Sequence, residues 1–119
     1  MFIPNPNDYR LTMGLYNGEY PVICICGSTR FREDIYLAYE RLTRAGWITL
    51  GVCPVMREGD DPLTTEEHQN IVDMHYQKMH MADAIYVVNK GGYIGESTRS
   101  EITHAEDDCI PIFYMEGDA

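Results

Sequence analysis

Four short apolar segments recur along the chain from Tyr20 onward, and polar stretches with a helical period separate them. The first segment, Pro21 to Cys26, is continuously apolar and precedes a glycine, which is typical of a strand buried on both faces of a parallel sheet. The segments Trp47 to Cys53, Ala84 to Val88 and Cys109 to Tyr114 predict three further strands. An alternation of strands and helices favours a parallel sheet with right-handed crossovers.

The stretches between these segments predict three amphipathic helices. Apolar residues recur at spacings of four and three from Phe31 to Ala45, and Gly46 is suited to end this first helix. A capping box at Thr64 to Glu67 predicts the start of a second helix, which runs to about Met81. A third helix is predicted to begin near Thr98. The apolar stripes are Phe31, Ile35, Ala38, Leu42 and Ala45 in the first helix, and Ile71, Val72, Met79 and Ala82 in the second.

The order of these elements predicts one α/β domain over residues 20–119, with a three-layer, flavodoxin-like (Rossmann-like) fold and a parallel sheet of four to five strands. A chain of 119 residues suits one domain with a single core. Residues 1–19 are expected to form an extended arm or a hairpin around Asn17-Gly18. Ligands of such sheets bind beyond the carboxyl ends of the strands, so we expect a site between two loops, Gly27 to Arg30 and Gly91 to Arg99.

Composition narrows the choice of partners. The 9 basic and 19 acidic residues give a net charge of -10, which disfavours binding to duplex nucleic acid and to anionic membrane surfaces. No apolar run is long enough to span a bilayer, and the first residues lack the pattern of a signal peptide, so a cytoplasmic protein is expected. The 9 Tyr and 7 Met suggest an interaction surface, and a homodimer or higher homo-oligomer is expected.

The four cysteines are Cys24, Cys26, Cys53 and Cys109. Cys24 and Cys26 share one face of a strand, where a disulfide between them would be strained, so reduced and buried thiols are expected. A metal site is the rival interpretation, but the chain has no Cys-X-X-Cys pair. We therefore expect neither a metal nor another cofactor.

The loop after the first strand, Gly27-Ser28-Thr29-Arg30, combines groups that suit a phosphate or a carboxylate. Gly27 allows close approach of the backbone, Ser28 offers a hydroxyl, and the following helix offers free N–H groups. The alternative is a strand-to-helix turn in which Ser28 only caps the helix. Arg30 favours the anion site, because a cation in the first helical turn opposes the helix dipole unless an anion compensates it.

The loop after the third strand is rich in glycine and leads to a candidate catalytic carboxylate. Gly92 and its neighbours allow close backbone approach, Tyr93 offers a ring that could stack on a base or sugar, and Arg99 again lies near a helix N-terminus. Thr98 and Glu101 match a capping box. Glu101 therefore has two interpretations, since it could close the helix start or project into the cleft as a nucleophile at a sugar carbon.

Two of the histidines and one aspartate are candidates for chemistry on or beside the second helix. His68 and His75 are seven residues apart and share one helix face. The pair could bind a metal, but solvated or packed histidines are more common. Asp83 precedes a strand, and we expect its carboxylate to accept from nearby backbone N–H groups.

Three segments together resemble the nucleoside 2-deoxyribosyltransferase superfamily, and in particular its deoxynucleoside 5′-monophosphate N-glycosidase branch. Cys26 to Asp34 is similar to the first loop of that superfamily. Ala82 to Asn89 is similar to its third strand, and Gly92 to Ile102 is similar to the segment that bears its catalytic glutamate. The three segments occur in the same order and at the same spacing as in the superfamily, which makes the resemblance more specific than any one of them.

The resemblance implies that Glu101 attacks the anomeric carbon of a (deoxy)ribose, after which water or a second base takes the sugar from the enzyme. It also implies that Ser28 and Arg30 hold a 5′-phosphate. This chain has Cys24 where the branch has a catalytic tyrosine, and His75 where the branch has an aspartate, so His75 is the candidate substitute acid or base. The residues predicted to bind the nucleoside or nucleotide are Gly27, Ser28, Arg30, Asn89, Gly92, Tyr93, Ser97, Thr98 and Arg99.

Two other functions remain open alongside this enzyme. The departures at Cys24 and His75 motivate a non-catalytic module of the same fold that binds or senses a nucleotide. Cleavage of a dinucleotide of the NAD kind would break the same type of bond, but the short loops leave little room for a second nucleotide.

Overall fold

Four parallel strands form the sheet at the centre of the described part of the chain. The computed structural model describes residues 1–8, 19–52 and 61–117. The strands are β1 (Val22–Gly27), β2 (Ile48–Gly51), β3 (Ala84–Val88) and β4 (Ile112–Tyr114), and they pair in the order β2-β1-β3-β4. The predicted α/β class with a parallel sheet of four to five strands is therefore confirmed. The prediction started the last strand too early, because residues 108–111 lead out of α3 before β4 begins.

Three helices cover the two faces of this sheet. They are α1 (Arg32–Ala45), α2 (Thr65–Met81) and α3 (Glu96–Asp107). Residues of α1 pack on one face, whereas residues of α2 and α3 pack together on the other, so the domain has three layers. Short 3-10 turns at Thr29–Phe31 and Lys90–Gly92 follow β1 and β3. Among the described residues, no helix combines the length and the apolar character that a membrane crossing requires.

Two helix ends follow the sequence pattern closely. Gly46 ends α1 with a φ of 111°, in the left-handed region that favours glycine, and its N–H donates to the carbonyls of Leu42 and Thr43. At the start of α2, Thr64 Oγ1 accepts from the N–H of Glu67 at 3.0 Å, and Glu67 Oε1 accepts from the N–H of Thr64 at 2.9 Å. The predicted capping box is therefore formed.

The third helix begins two residues before Thr98, and this difference bears on Glu101. The helix begins at Glu96 after Gly95, whose extended backbone ends the loop and whose carbonyl accepts from the N–H of Arg99 at 2.9 Å. Thr98 is already inside the helix and buried, with 3% of its surface exposed, so it does not cap. The second capping box is not formed, and the carboxylate of Glu101 is not used to close the helix.

Alternate residues of β1 divide the interior into two cores. Ile23 and Ile25 point to the α1 face, and Cys24 and Cys26 point to the α2/α3 face, all four fully buried. The buried residues of the α1 face are Ile23, Ile25, Ile35, Ala38, Leu42, Trp47, Ala84, Tyr86, Val88 and Met115. The buried residues of the α2/α3 face are Cys24, Cys26, Met79, Ile85, Val87 and Ala105.

Both predicted apolar stripes include a residue that the structure exposes to solvent. Ala45 is exposed at the end of α1, next to the Gly46 cap. Val72 of α2 is 37% exposed, because the N-terminal half of α2 extends past the edge of the core, and only His75 and Met79 of this helix are buried. Helical periodicity identifies the apolar face of α2 but does not show how much of it the sheet covers.

The first residues of the chain pack along the α1 face. The N–H of Phe2 donates to the carbonyl of Met115 at 2.8 Å, and the Tyr86 hydroxyl donates to the carbonyl of Phe2 at 2.6 Å. The indole N–H of Trp47 donates to the carbonyl of Pro4 at 2.9 Å. The predicted hairpin around Asn17-Gly18 lies outside the described residues.

Candidate functional site

A cavity of about 450 Å³ opens at the carboxyl ends of β1 and β3. From β1 the chain crosses to β2 on one side of the sheet, and from β3 it crosses to β4 on the other, so the loops that leave these strands separate here. Gly27 lets the two strand ends approach closely, because a Cβ at this position would lie 3.1 Å from Cβ of Val88. The cavity is therefore at the topological switch point, where the order of elements predicts a ligand site.

The first loop forms one wall of the cavity. Gly27, Ser28 and Thr29 line it, and Ser28 Oγ accepts from the N–H of Arg30 at 3.3 Å. Ser28 therefore caps the 3-10 turn and faces the cavity, so the two interpretations of this residue are compatible. The guanidinium of Arg30 lies outside the wall, stacked over the Tyr93 ring with Cζ 4.2 Å from the ring centroid.

The second loop and the first turn of α3 form the facing wall. Tyr93, Gly95, Glu96, Ser97 and Thr98 line the cavity. No side chain of the described residues caps the N-terminus of α3 through a hydrogen bond. A helix N-terminus that opens onto a cavity suits an anionic group of a ligand, because its first N–H groups and its dipole both favour negative charge.

Besides Arg30, three more of the predicted binding residues lie outside the cavity wall. Asn89 is 1% exposed, and its Oδ1 accepts from the N–H of Glu116 at 2.9 Å. Glu116, which follows β4, also contacts the next part of the loop, because the N–H of Gly91 donates to Glu116 Oε2 at 2.6 Å. Gly92 and Arg99 are exposed, and neither lines the cavity. This part of the loop therefore joins β3 to the chain after β4 instead of forming the pocket.

The third wall comes from α2 and the end of β2, and His75 is its only residue that the sequence analysis placed at the site. Its apolar residues are Ile71, Val72, Met74 and Val52, and Met74 is 50% exposed. Its polar residues are His68, His75 and Lys78, so the predicted shared face of His68 and His75 is confirmed. The ammonium of Lys78 donates to the carbonyl of Gly51 at 2.9 Å. The seven-residue spacing of the two histidines was the sequence signal that could have located this wall.

The two predicted catalytic residues meet at the floor of the cavity. Nε2 of His75 lies 3.4 Å from Oε1 of Glu101, and the two side chains are only 10% and 15% exposed. Burial lowers the pKa of His75, but the hydrogen bond and the negative charge of Glu101 outweigh it, so the net shift raises this pKa. The Glu101 carboxylate therefore shifts the protonation equilibrium of His75 toward the imidazolium.

Two thiols of β1 lie beside the imidazole of His75, on the side that faces the sheet. Sγ of Cys26 lies 3.3 Å from Nε2 of His75, and Cys24 is the next residue on the same face of β1. Both thiols are free and buried, as predicted. The hydrogen bond with Cys24, complete burial and the Glu101 carboxylate all raise the pKa of Cys26, so Cys26 is a neutral thiol.

Two groups of side chains in the described part of the chain have the spacing of metal ligands. Cys24, Cys26 and His75 bring two sulfurs and one nitrogen within 4.8 Å of one another. His80, His104 and Asp108 form the second group, on the surface and away from the cavity. The first group shares His75 with the predicted catalytic pair, and the second shares no residue with it.

The whole arrangement places a carboxylate and an imidazole beside a mixed pocket. One side of the pocket is apolar, and the other side carries hydroxyls and a helix N-terminus. Such a site can bind a small molecule with a flat apolar part and an anionic part, and can supply both a nucleophile and a proton. Comparison of this chain with known family models, with curated proteins and with solved structures finds no match.

Proposed function

We propose that this protein cleaves or transfers the N-glycosidic bond of a (deoxy)nucleoside or its 5′-monophosphate, with Glu101 as the nucleophile. The observation that carries the proposal is the position of Glu101. Its side chain lines the cavity 3.4 Å from His75 instead of capping α3. A carboxylate that is free of backbone hydrogen bonds and faces a pocket is suited to attack.

The chemistry follows from the Glu101–His75 pair. A Glu101 oxygen attacks the anomeric carbon of the sugar and forms an ester bond, while the bond from that carbon to the base nitrogen breaks. The leaving base takes the electron pair of that bond and a proton. His75 holds this proton, since the neighbouring carboxylate raises the pKa of the imidazole. Water then hydrolyses the ester in the hydrolase, or a second base accepts the sugar in the transferase.

The walls of the cavity suggest how a nucleotide is oriented. The apolar side chains of Ile71 and Val72 suit the flat face of a base. The hydroxyls of Ser28 and Ser97 and the N-terminus of α3 suit a 5′-phosphate on the opposite side. Arg30, stacked on Tyr93, adds a guanidinium at the rim of the phosphate side.

The resemblance to the nucleoside 2-deoxyribosyltransferase superfamily supports the same assignment. The residues that correspond to its nucleophile and first loop, Glu101 and Ser28, both line the cavity. The two departures from the monophosphate branch, Cys24 and His75, belong to one cluster beside Glu101. The branch has a catalytic tyrosine at the position of Cys24, and a thiol does not replace its phenol. In our proposal the imidazole of His75 contacts the nucleophile instead.

The test is release of free base by the purified protein. A panel of purine and pyrimidine nucleosides, 2′-deoxynucleosides and their 5′-monophosphates is incubated with the protein in the presence of a chelator, and free base is measured by chromatography. Glu101→Gln removes the nucleophile and is expected to lower the rate by at least about 10³-fold. Glu96→Gln is the matched control, because Glu96 lies on the same helix and lines the same cavity. Equal activity of wild type and Glu101→Gln contradicts the mechanism.

A non-catalytic nucleotide-binding module is the second candidate. It is favoured by the cysteine at position 24, where the resembling branch has a catalytic tyrosine. This candidate predicts that a nucleotide raises the melting temperature of the protein while no base is released at any pH. The enzyme predicts both stabilisation and base release.

We also propose that the protein acts as a homo-oligomer. Val72 and Met74 on the α2 wall are 37% and 50% exposed, which leaves apolar surface at the mouth of the cavity that a second copy would cover. Sedimentation equilibrium of the wild type is expected to give a dimer or larger, and Met74→Lys is expected to shift it toward the monomer. A monomeric wild type contradicts this part of the proposal.

A further inference from the structure

Two histidines and an aspartate meet at one point on the surface, where the C-terminal ends of α2 and α3 lie side by side. His80 is in the last turn of α2, His104 is in the last turn of α3, and Asp108 follows α3 directly. The two Nε2 atoms are 2.8 Å apart. Oδ2 of Asp108 lies 3.2 Å from Nε2 of His104 and 3.5 Å from Nε2 of His80. Three potential ligand atoms therefore form a small triangle outside the cavity.

Protons alone do not satisfy this triangle. A neutral imidazole carries one N–H in total, and a carboxylate only accepts hydrogen bonds. One histidine can donate its Nε2–H to the Nε2 of the other. The accepting Nε2 then has no hydrogen, and its lone pair is repelled by the lone pairs of the carboxylate oxygen. If both Nε2 atoms carry hydrogen, two N–H groups oppose each other across 2.8 Å. A cation that contacts all three atoms accepts all three lone pairs at once.

The size of the triangle suits a transition-metal ion. Edges of 2.8, 3.2 and 3.5 Å fit a circle of radius about 1.9 Å, which is slightly shorter than the usual metal–nitrogen and metal–oxygen distances of about 2.1 Å. An ion bonded to all three atoms therefore lies about 1 Å outside their plane, with its remaining positions directed to solvent. The side chains are 54%, 34% and 40% exposed for His80, His104 and Asp108, so water has access to those positions.

The surroundings favour a cation at this position. The C-terminal ends of two helices converge here, and each carries the negative end of a helix dipole. The ring of His104 packs edge to face against Tyr76, with centroids 5.0 Å apart, and the rings of His80 and His104 are perpendicular at 89°. The contact with Tyr76 holds one imidazole in place before any ion binds, which lowers the entropy cost of binding.

We propose that His80, His104 and Asp108 bind a divalent transition cation of the Zn²⁺ type that joins α2 to α3. Imidazole nitrogen selects Zn²⁺, Ni²⁺ or Cu²⁺ over Mg²⁺ and Ca²⁺, which prefer oxygen. The two helices that the ion joins also carry His75 and Glu101, five residues before His80 and three before His104. The ion thus stabilises the packing of the two elements that form the floor of the cavity. This inference uses none of the residues of the proposed reaction, so the two stand or fall separately.

Calorimetric titration with ZnCl₂ on the metal-free protein tests the site. The wild type is expected to bind one ion per chain. Because loss of even an outer-shell partner weakens metal sites by about tenfold to 100-fold, His80→Gln and His104→Gln are each expected to weaken binding by more than tenfold. His68→Gln is the matched control, since it removes another exposed histidine of α2, and it is expected to keep the wild-type affinity. MgCl₂ is expected to give no binding heat.

Thermal unfolding provides the second readout. Zn²⁺ is expected to raise the melting temperature of the wild type and of His68→Gln, and to leave His104→Gln unchanged. Circular dichroism checks that the variants fold, which the exposed position of His80 and the partly exposed position of His104 favour. Zn²⁺ binding that survives in both His80→Gln and His104→Gln would locate the ion elsewhere, for example at Cys24, Cys26 and His75, and would overturn the proposal. The absence of binding to the wild type would overturn it as well.

Discussion

The two faces of the central sheet are built from alternate residues of the same strand and differ in chemistry. On the α1 face, Ile23 and Ile25 of β1 pack into an apolar core that the first residues of the chain also cover. On the α2/α3 face, Cys24 and Cys26 occupy the same depth, but Cys26 contacts His75 at the carboxyl end of the strand. Among the described residues, the α1 face consists of core contacts, whereas the α2/α3 face changes along its length from core to the candidate site.

Under the proposed function, this difference between the two faces separates stability from chemistry. Because successive side chains of a strand point to opposite faces, β1 supplies the α1 face with stabilising apolar contacts and the α2/α3 face with polarisable thiols. The buried imidazole and carboxylate of the α2/α3 face carry a desolvation cost, which the apolar core behind the strand offsets. Substitutions on the two faces should therefore separate the effects on folding from the effects on activity.

The largest expected effect is on stability, from a substitution on the α1 face. Ile25→Ala removes a fully buried side chain and is expected to lower the free energy of unfolding by about 3 kcal/mol. Urea unfolding measures the change, and base release is measured on the folded fraction. We expect the activity per folded molecule to stay within about twofold of the wild type, since Ile25 faces away from the cavity.

Cys26→Ala is the matched substitution on the opposite face. It removes a single sulfur from a fully buried position, so the expected loss of stability is about 1 kcal/mol. The contact with Nε2 of His75 is lost, so the activity is expected to change more than in Ile25→Ala. If Ile25→Ala lowers the specific activity more than Cys26→Ala does, the contrast between the two faces is wrong.

The next largest expected effect is a loss of activity when His75 of the α2/α3 face is replaced. His75→Gln keeps a polar side chain of similar size but removes the proton donor, and it is expected to lower kcat by about 10²-fold or more. The wild-type rate is expected to fall as pH rises through the raised pKa of His75, above its ordinary value of 6.5. Initial rates across a pH series measure both effects. If the rate of His75→Gln still falls at alkaline pH, the decline belongs to a group other than His75.

A smaller effect is expected at the rim of the cavity. Arg30→Gln removes a guanidinium from the phosphate side, and it is expected to raise KM for a 5′-monophosphate by about tenfold while leaving KM for the nucleoside unchanged. Arg99→Gln is the control, because Arg99 is an exposed arginine of α3 outside the cavity wall. Equal effects of the two substitutions would indicate a general influence of positive charge on phosphate binding.

The smallest effect is the titration of His75 itself. Glu101 raises the pKa of His75 against the lowering effect of burial, so NMR titration is expected to give a pKa above 6.5 in the wild type and below 6.5 in Glu101→Gln. A raised pKa in the folded state stabilises the protein fully below pH 6.5, and this contribution is lost as pH rises through the folded-state pKa. The same pKa in both proteins would contradict the pairing.

Two similar sequence patterns show where local prediction succeeds and where it fails. The Thr64 to Glu67 pattern forms the expected capping box, since the preceding residues do not continue the helix. The Thr98 to Glu101 pattern forms none, because Gly95 begins α3 earlier and leaves Thr98 inside the helix. A capping pattern identifies candidate positions, but the conformation of the loop before it decides which residue becomes the cap.

The site was only partly predictable for a related reason. The order of strands and helices located the cavity and two of its walls, and His75 and Glu101 were identified before their contact was known. The α2 wall and the contact of Cys26 with His75 join residues far apart in sequence, so periodicity within one segment does not reveal them. Asn89 was placed in the binding loop because of its neighbours, yet it is buried against the residues after β4.

The central claim is that Glu101 forms a covalent bond with the sugar. The most direct measurement is mass spectrometry of the protein after incubation with a 2′-fluoro-2′-deoxynucleoside analogue of the best substrate, since the electron-withdrawing fluorine slows the breakdown of the intermediate. The account predicts an added mass of one fluorodeoxyribosyl group on the peptide that contains Glu101, and no adduct in Glu101→Gln. Release of free base without an adduct, or an adduct on another residue, would contradict it.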